Sequence, residues 1–303
     1  MWQLYSLGST FFTALGQSVD KATIVRQKSI GLLTATWIRI GMYSLIAYFA
    51  GFIILGEAPS LLLGPMIVLL GLTNAFNSYF YSVLLKRLEI TTSGIFFNLA
   101  PIIFLFVDIV VLKRGLSIAE VSGIFLLVFG GILFLGRKKL VAKFGKEKRL
   151  AIFGMFLFNV FYIGFQNYLF QYYSSHYHIS ETNYLLSMAL ATFFFITIFI
   201  VLKSLLGQGE SNSFRVCLRY AGGSFFSKIA DYGSTFFFLM AIATASVSQV
   251  SAMQAFFPIM LMFLVLIIQG RMHIKMHEDL SKKALMHKIA GVVLISAGIF
   301  LVR

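Results

Sequence analysis

The sequence has 303 residues, 59% hydrophobic and 12% charged, with mean hydropathy +0.88, whereas soluble domains carry roughly 25% charged and 45–50% apolar residues. That composition excludes water as the solvent of most of the surface, and the single cysteine, Cys217, excludes an intrachain disulfide framework or a Cys-rich zinc site. The net charge of +14 would point to nucleic acid in a soluble protein, but here the basic residues gather in short connections, as the positive-inside rule expects, so no nucleic-acid partner is expected.

Crossing about 30 Å of hydrocarbon takes about 20 mostly apolar residues. That ruler predicts an all-α integral membrane protein with ten transmembrane helices, near 2–19, 31–55, 61–84, 92–112, 117–136, 150–172, 182–206, 218–241, 245–269 and 286–302. The first stretch has no basic head and carries Gln17 inside, so it reads as a span and not as a cleavable signal peptide. Polar groups in hydrocarbon are costly unless they face a bundle interior or a wet cavity, so their placement is informative. Helix 1 aligns Ser6, Thr10, Thr13 and Gln17 on one face. Helix 2 carries Arg39, for which Asp20 or a lipid phosphate is a plausible partner, a structural role being favoured over substrate binding. Helix 3 offers Asn74, Asn77 and Tyr81, and helix 4 offers Asn98, Pro101 and Asp108, the last expected to pair locally with Lys113-Arg114. Helix 6 offers Tyr162 and Gln166, helix 8 offers Lys228 and Asp231, and helix 9 offers Gln254 and Pro258. Lys228 and Asp231, three residues apart, share a face and can neutralise each other. Pro101 and Pro258 remove a backbone hydrogen bond, which suits hinges and packing devices equally.

A repeat divides these helices into five and five. Leu99-Ala100-Pro101-Ile102-Ile103-Phe104-Leu105-Phe106 in helix 4 is answered by Phe256-Phe257-Pro258-Ile259-Met260-Leu261-Met262-Phe263 in helix 9. The helix after each has glycines seven apart, Gly123 and Gly130, then Gly291 and Gly298. Five spans per copy mean that the second enters the membrane inverted, a transporter architecture. The expected domains are a first five-helix repeat over 1–137, a basic linker over 138–149 and a second repeat over 150–303.

Together with Lys21, Arg39, the Asn98-Leu99-Ala100-Pro101 run, Ser117 to Gly136, Ser246 to Pro258 and Gly291 to Gly298, this pattern resembles the drug/metabolite transporter superfamily, specifically EamA-type permeases. The resemblance covers nearly the whole chain. It implies two inverted EamA-like repeats and alternating access for a small organic metabolite, with the pathway lined by helices 1, 3, 4, 6, 8 and 9. Lys113-Arg114 stands where the family usually shows an acidic residue.

Twenty of the 25 Lys and Arg fall on one side of the predicted topology, three on the other, and the remaining two are Arg39 and Lys228. The charge count places both termini outside, whereas the family resemblance implies termini inside. Arg137 to Arg149 is expected to anchor anionic lipid headgroups. His176, His178, His273 and His277 lack a convincing third ligand, so neither metal nor cofactor is expected, and no nucleotide-binding loop or serine-nucleophile motif occurs. The resulting expectation is a secondary active permease in the cytoplasmic membrane, not an enzyme, binding its solute through Gln17, Asn74, Asn77, Tyr81, Asn98, Tyr162, Gln166, Lys228, Asp231 and Gln254. A lipid flippase component or a nontransporting membrane partner is the alternative, and a homodimer is compatible with either.

Overall fold

A computed structural model describes residues 1–27, 29–56, 64–87, 100–135, 146–272 and 282–302. Among them the fold is all-helical, in ten stretches: α1 Trp2–Arg26, α2 32–55, α3 Gly64–Arg87, α4 Ala100–Val111, α5 Ile118–Leu135, α6 Lys146–Tyr177, α7 181–208, α8 Phe214–Ile242, α9 247–272 and α10 Lys282–Leu301. Three of these contain segments long and apolar enough to cross a membrane, Leu32–Ile54, Glu181–Gly207 and Val247–Leu264. Several helices outrun the apolar windows that predicted them. α1 continues past residue 19 to Arg26 because Asp20, Ala22, Thr23 and Ile24 are all buried there, so packing, not hydropathy, sets its end. Asn98, His273, His277 and residues 138–145 of the basic linker lie outside the described residues, and 146–149 form the start of α6.

The chain divides into two compact units, each drawing on both halves of the sequence. One comprises the described parts of Met1–Ser18, Leu88–Gly145 and Gly233–Arg303, the other those of Val19–Arg87 and Lys146–Tyr232.

In the first unit α5 and α10 pack along most of their length. A Cβ on Gly123 would meet the Gly298 carbonyl oxygen at 2.8 Å, and one on Gly298 would meet that of Gly123 at 2.8 Å. A Cβ on Gly130 would lie 2.9 Å from the Gly291 oxygen. The glycines seven apart thus meet in antiparallel register, and a side chain at any of these three would force the backbones apart. Leu105, Ile124, Leu127, Ala252, Ala255 and Ile295 fill the adjoining core.

The start of α9 is fixed by carboxylates. Ser246 and Gln249 form a capping box, the buried Asp108 carboxylate accepts the Ser248 N–H at 3.0 Å, and Gln249 Nε2 donates to Glu120 at 2.6 Å. Arg114 lies 3.4 Å from Asp108, as the local-pairing expectation had it. Six residues on, the α-helix tightens to a 3₁₀ turn over Met253–Phe256. Pro258 has no N–H for the Gln254 carbonyl four residues back, and that carbonyl instead accepts the N–H of Phe257.

In the second unit α3 packs against α6 and α7. A Cβ on Gly71 would meet Ala191 backbone at 2.7 Å, and Phe76 stacks on Phe158 with centroids 5.0 Å apart. α2 contains a π-helical turn, Trp37–Met42. Trp37 Nε1 donates to Thr197 of α7 at 3.1 Å and ties that turn in place.

Candidate functional site

The polar cluster of the second unit is built from five helices. Arg39 sits inside the π-helical turn of α2. Such single-turn insertions rotate side chains out of α register and recur at functional sites. Its guanidinium is buried: Nη1 donates to Asp20 Oδ2 of α1 at 3.1 Å, Nη2 lies 3.4 Å from both the Ser78 carbonyl and Ser82 Oγ of α3, and the Tyr81 ring centroid is 4.5 Å from Cζ. Of the two partners expected for Arg39 from the sequence, Asp20 and a lipid phosphate, Asp20 is the one it contacts. Cation–π contact and a buried ion pair together hold the charge where either alone would leave it underpaired.

Lys228 and Asp231 of α8 form the second pair and contact each other directly. Their exposures differ: the Lys228 side chain is 8% exposed and that of Asp231 35%. Asp20 lies within electrostatic reach of both. Asp231 in turn lies within reach of Arg39, Tyr81, Tyr162 and Tyr232. Two cations and two anions thus lie within electrostatic reach of one another, with Tyr81, Tyr162 and Tyr232 in reach of Asp231. Tyr43 donates to the Ala221 carbonyl and Tyr232 to Ser44 Oγ at 3.3 Å, which joins α2 to α8 on this side.

The buried polar atoms here with no hydrogen-bond partner among the described residues include Asp20 Oδ1, Arg39 Nε, Asn77 Oδ1 and Tyr81 Oη. Asn77 and Tyr81 are one turn apart on α3, and Arg39 stands over the Tyr81 ring. A buried polar group left without a hydrogen bond costs about 1–3 kcal/mol, so several in one place mark a spot whose polar partners are still to be supplied.

Of the residues singled out from sequence, Asn77, Tyr81, Lys228 and Asp231 belong to this cluster. Asn74 donates to Thr192 of α7 at 3.0 Å and so also fastens helices, Tyr162 donates to Met188 Sδ at 3.3 Å, and Gln166 is buried with its carbonyl accepting from Tyr184 at 2.7 Å. Gln17 and Gln254 are buried in the other unit. On α1 the hydroxyls are engaged in that unit's packing: Ser6 donates to the Val250 carbonyl at 3.0 Å and Thr13 meets Ser234 at 2.6 Å. The sequence reading missed Asp20 as a site member in its own right, together with Ser82 and Tyr232. Asp20 continues the helix 1 face by one step, three residues beyond Gln17, a spacing that would have found it had the apolar window not ended the helix first.

No family model matches this sequence, and no curated protein does. Among solved structures, one crystal structure described only as that of a protein superposes with a TM-score of 0.65 at 17% identity, covering 99% of this chain and 97% of that one. The likeness is one of fold.

Proposed function

We propose that this chain is a polytopic membrane permease that moves a small organic solute by alternating access, without enzymatic chemistry. The observation that carries the reading is the polar cluster itself. A chain that is 59% hydrophobic puts Asp20, Arg39, Lys228 and Asp231 together in its interior. Ionisable groups inside membrane-spanning helices are costly and persist at substrate and ion paths. Three helical segments of membrane-crossing length, and three shorter apolar helices, support a multi-pass protein of the cytoplasmic membrane. The reciprocal glycine contacts of α5 and α10 support an inverted repeat, since the first glycine of each copy meets the second glycine of the other, in antiparallel register. On this reading Asn77, Tyr81, Lys228 and Asp231 contact solute, and Asn74, Tyr162 and Gln166 line or brace the path. Pro258 with its 3₁₀ turn supplies a point at which α9 bends without losing a further hydrogen bond.

The test is counterflow. Liposomes holding the purified protein and an unlabelled metabolite extract are placed in an isotopically labelled extract, without ATP, and labelled solutes inside are read by mass spectrometry. At least one small solute should enter faster than into protein-free liposomes. Entry of none would refute the permease; flipping of a labelled phospholipid in its place would favour the flippase alternative.

A further inference from the structure

Helix α2 begins without a cap of its own. Its N-cap is Gly31, which has no side chain to take the orphan N–H groups of the first turn. Those groups are met from the connection between α7 and α8, 176 to 181 residues further along the chain. Glu210 accepts the Thr34 N–H at 3.0 Å, and Asn212 Oδ1 accepts the Gly31 N–H at 2.8 Å while its Nδ2 donates to Thr34 Oγ1 at 2.8 Å. In a capping box the N-cap side chain takes the N–H three residues on, and the side chain there returns to the N-cap N–H. α9 has such a box, built from its own Ser246 and Gln249. In α2 both halves arrive on a different stretch of chain.

Two features make this borrowed cap releasable. Glu210 is exposed and Thr34 and Asn212 are half-buried, so water can replace each of the three bonds at a small net cost. The chain also leaves α7 through Gly207, at φ +75° with nothing within 4 Å of the place a Cβ would take, and then through the extended Gly209. A glycine pair of this kind lets the segment after it swing. Closure in turn depends on Gly31, where a Cβ would fall inside the Glu210 carboxylate. Further along, α2 is tied to α8 by Tyr43 on the Ala221 carbonyl and by Tyr232 on Ser44, so the strap is the outermost of the ties described.

We infer that residues 209–213 are a latch on the start of α2. Closed, as here, they supply its cap and pin its first turn to the start of α8. Released, they leave that turn uncapped and let this end of α2 move away from α8. Arg39 stands five residues beyond Thr34, in the π-helical turn, so a shift of the first turn reaches the guanidinium. The role of the latch rests on the permease reading: its release is the step that admits solution to the Arg39 cluster from the end at which α2 begins.

Two measurements on the full chain, in a Cys217→Ser background, test this. Spin labels on Ser29→Cys and Ser211→Cys, both exposed positions, report the strap-to-α2 distance by electron paramagnetic resonance. A short population should dominate beside a longer one. Gly31→Ala, which expels Glu210 while keeping every hydrogen-bonding side chain, and Asn212→Ala should each raise the long-to-short ratio roughly 5–100-fold, the loss of one or two hydrogen bonds. A single short distance in the parent and in both variants overturns the latch. In the second measurement Thr34→Cys and Asn212→Cys are joined by a short bis-methanethiosulfonate in proteoliposomes. Counterflow should stop on cross-linking and return on reduction, which shows that the protein stayed folded; counterflow that continues in the cross-linked protein overturns the inference. Absence of counterflow before cross-linking refutes the permease instead, and the spin-label populations then decide by themselves whether the strap opens.

Discussion

The α5–α10 contact and the Arg39 cluster solve opposite problems with opposite means. Between α5 and α10 nothing polar beyond the backbone is needed, since glycines let two helices approach until carbonyl oxygens replace side chains as the contact surface. Association of this kind rests on van der Waals packing and is available even where the surroundings are apolar. Around Arg39 the helices are joined by ions and hydroxyls instead, and the joining is incomplete: Asp20 Oδ1, Arg39 Nε, Asn77 Oδ1 and Tyr81 Oη lack hydrogen-bond partners among the described residues. The first region has one good arrangement and resists change. The second has several polar groups that can be re-partnered, which is what a site that binds and releases a solute requires.

The sharpest way to break this contrast is to remove one ion from the second region. Asp20→Asn leaves a buried guanidinium without its counter-charge and should cost about 3–5 kcal/mol, visible as a large drop in melting temperature in detergent. Replacing both partners, Asp20→Leu with Arg39→Met, should recover most of that loss, because two charges and not one are then removed. If the double variant melts no higher than Asp20→Asn, the pair is not the interaction described.

Gly130→Leu attacks the first region. With the Gly291 oxygen 2.9 Å from the new Cβ, α5 and α10 must separate, at a cost of about 1–3 kcal/mol. No second substitution among polar residues should rescue it, unlike the ion pair. A melting temperature equal to that of the native protein would show that the two helices do not approach as described.

A smaller effect is expected where a polar group serves a fixed joint. Asp108→Asn keeps an acceptor for the Ser248 N–H but gives up the charge at the start of α9, worth about 0.3–2 kcal/mol. Its melting temperature should fall less than that of Asp20→Asn; an equal fall would place Asp108 in the same class as the Arg39 cluster.

Much of both regions could be read along the chain, where the determining pattern is local. Glycines seven residues apart announce a close helix contact, and Lys228 and Asp231 three apart announce a pair on one face. The Arg39–Asp20 pairing was also within reach, because Asp20 closes the polar face of the preceding helix and is the last acid before an otherwise isolated arginine. What could not be read depends on partners far away in sequence. Nothing near Asn74 signals that Thr192 takes its amide, 118 residues on, and nothing near Asp108 signals that it caps a helix beginning at Val247. The π-helical turn was equally hidden, since hydropathy along 31–55 is continuous while the backbone inside it changes register at Trp37–Met42.

The claim on which the functional account rests is that the Asn77 face of α3 meets solution from each side of a membrane in turn. In a Cys217→Ser background, Asn77→Cys in sealed proteoliposomes of known orientation should react with a membrane-impermeant maleimide added outside, and also with one trapped inside. Labelling from neither side, or from one side only under every solute tested, would contradict alternating access at this cluster.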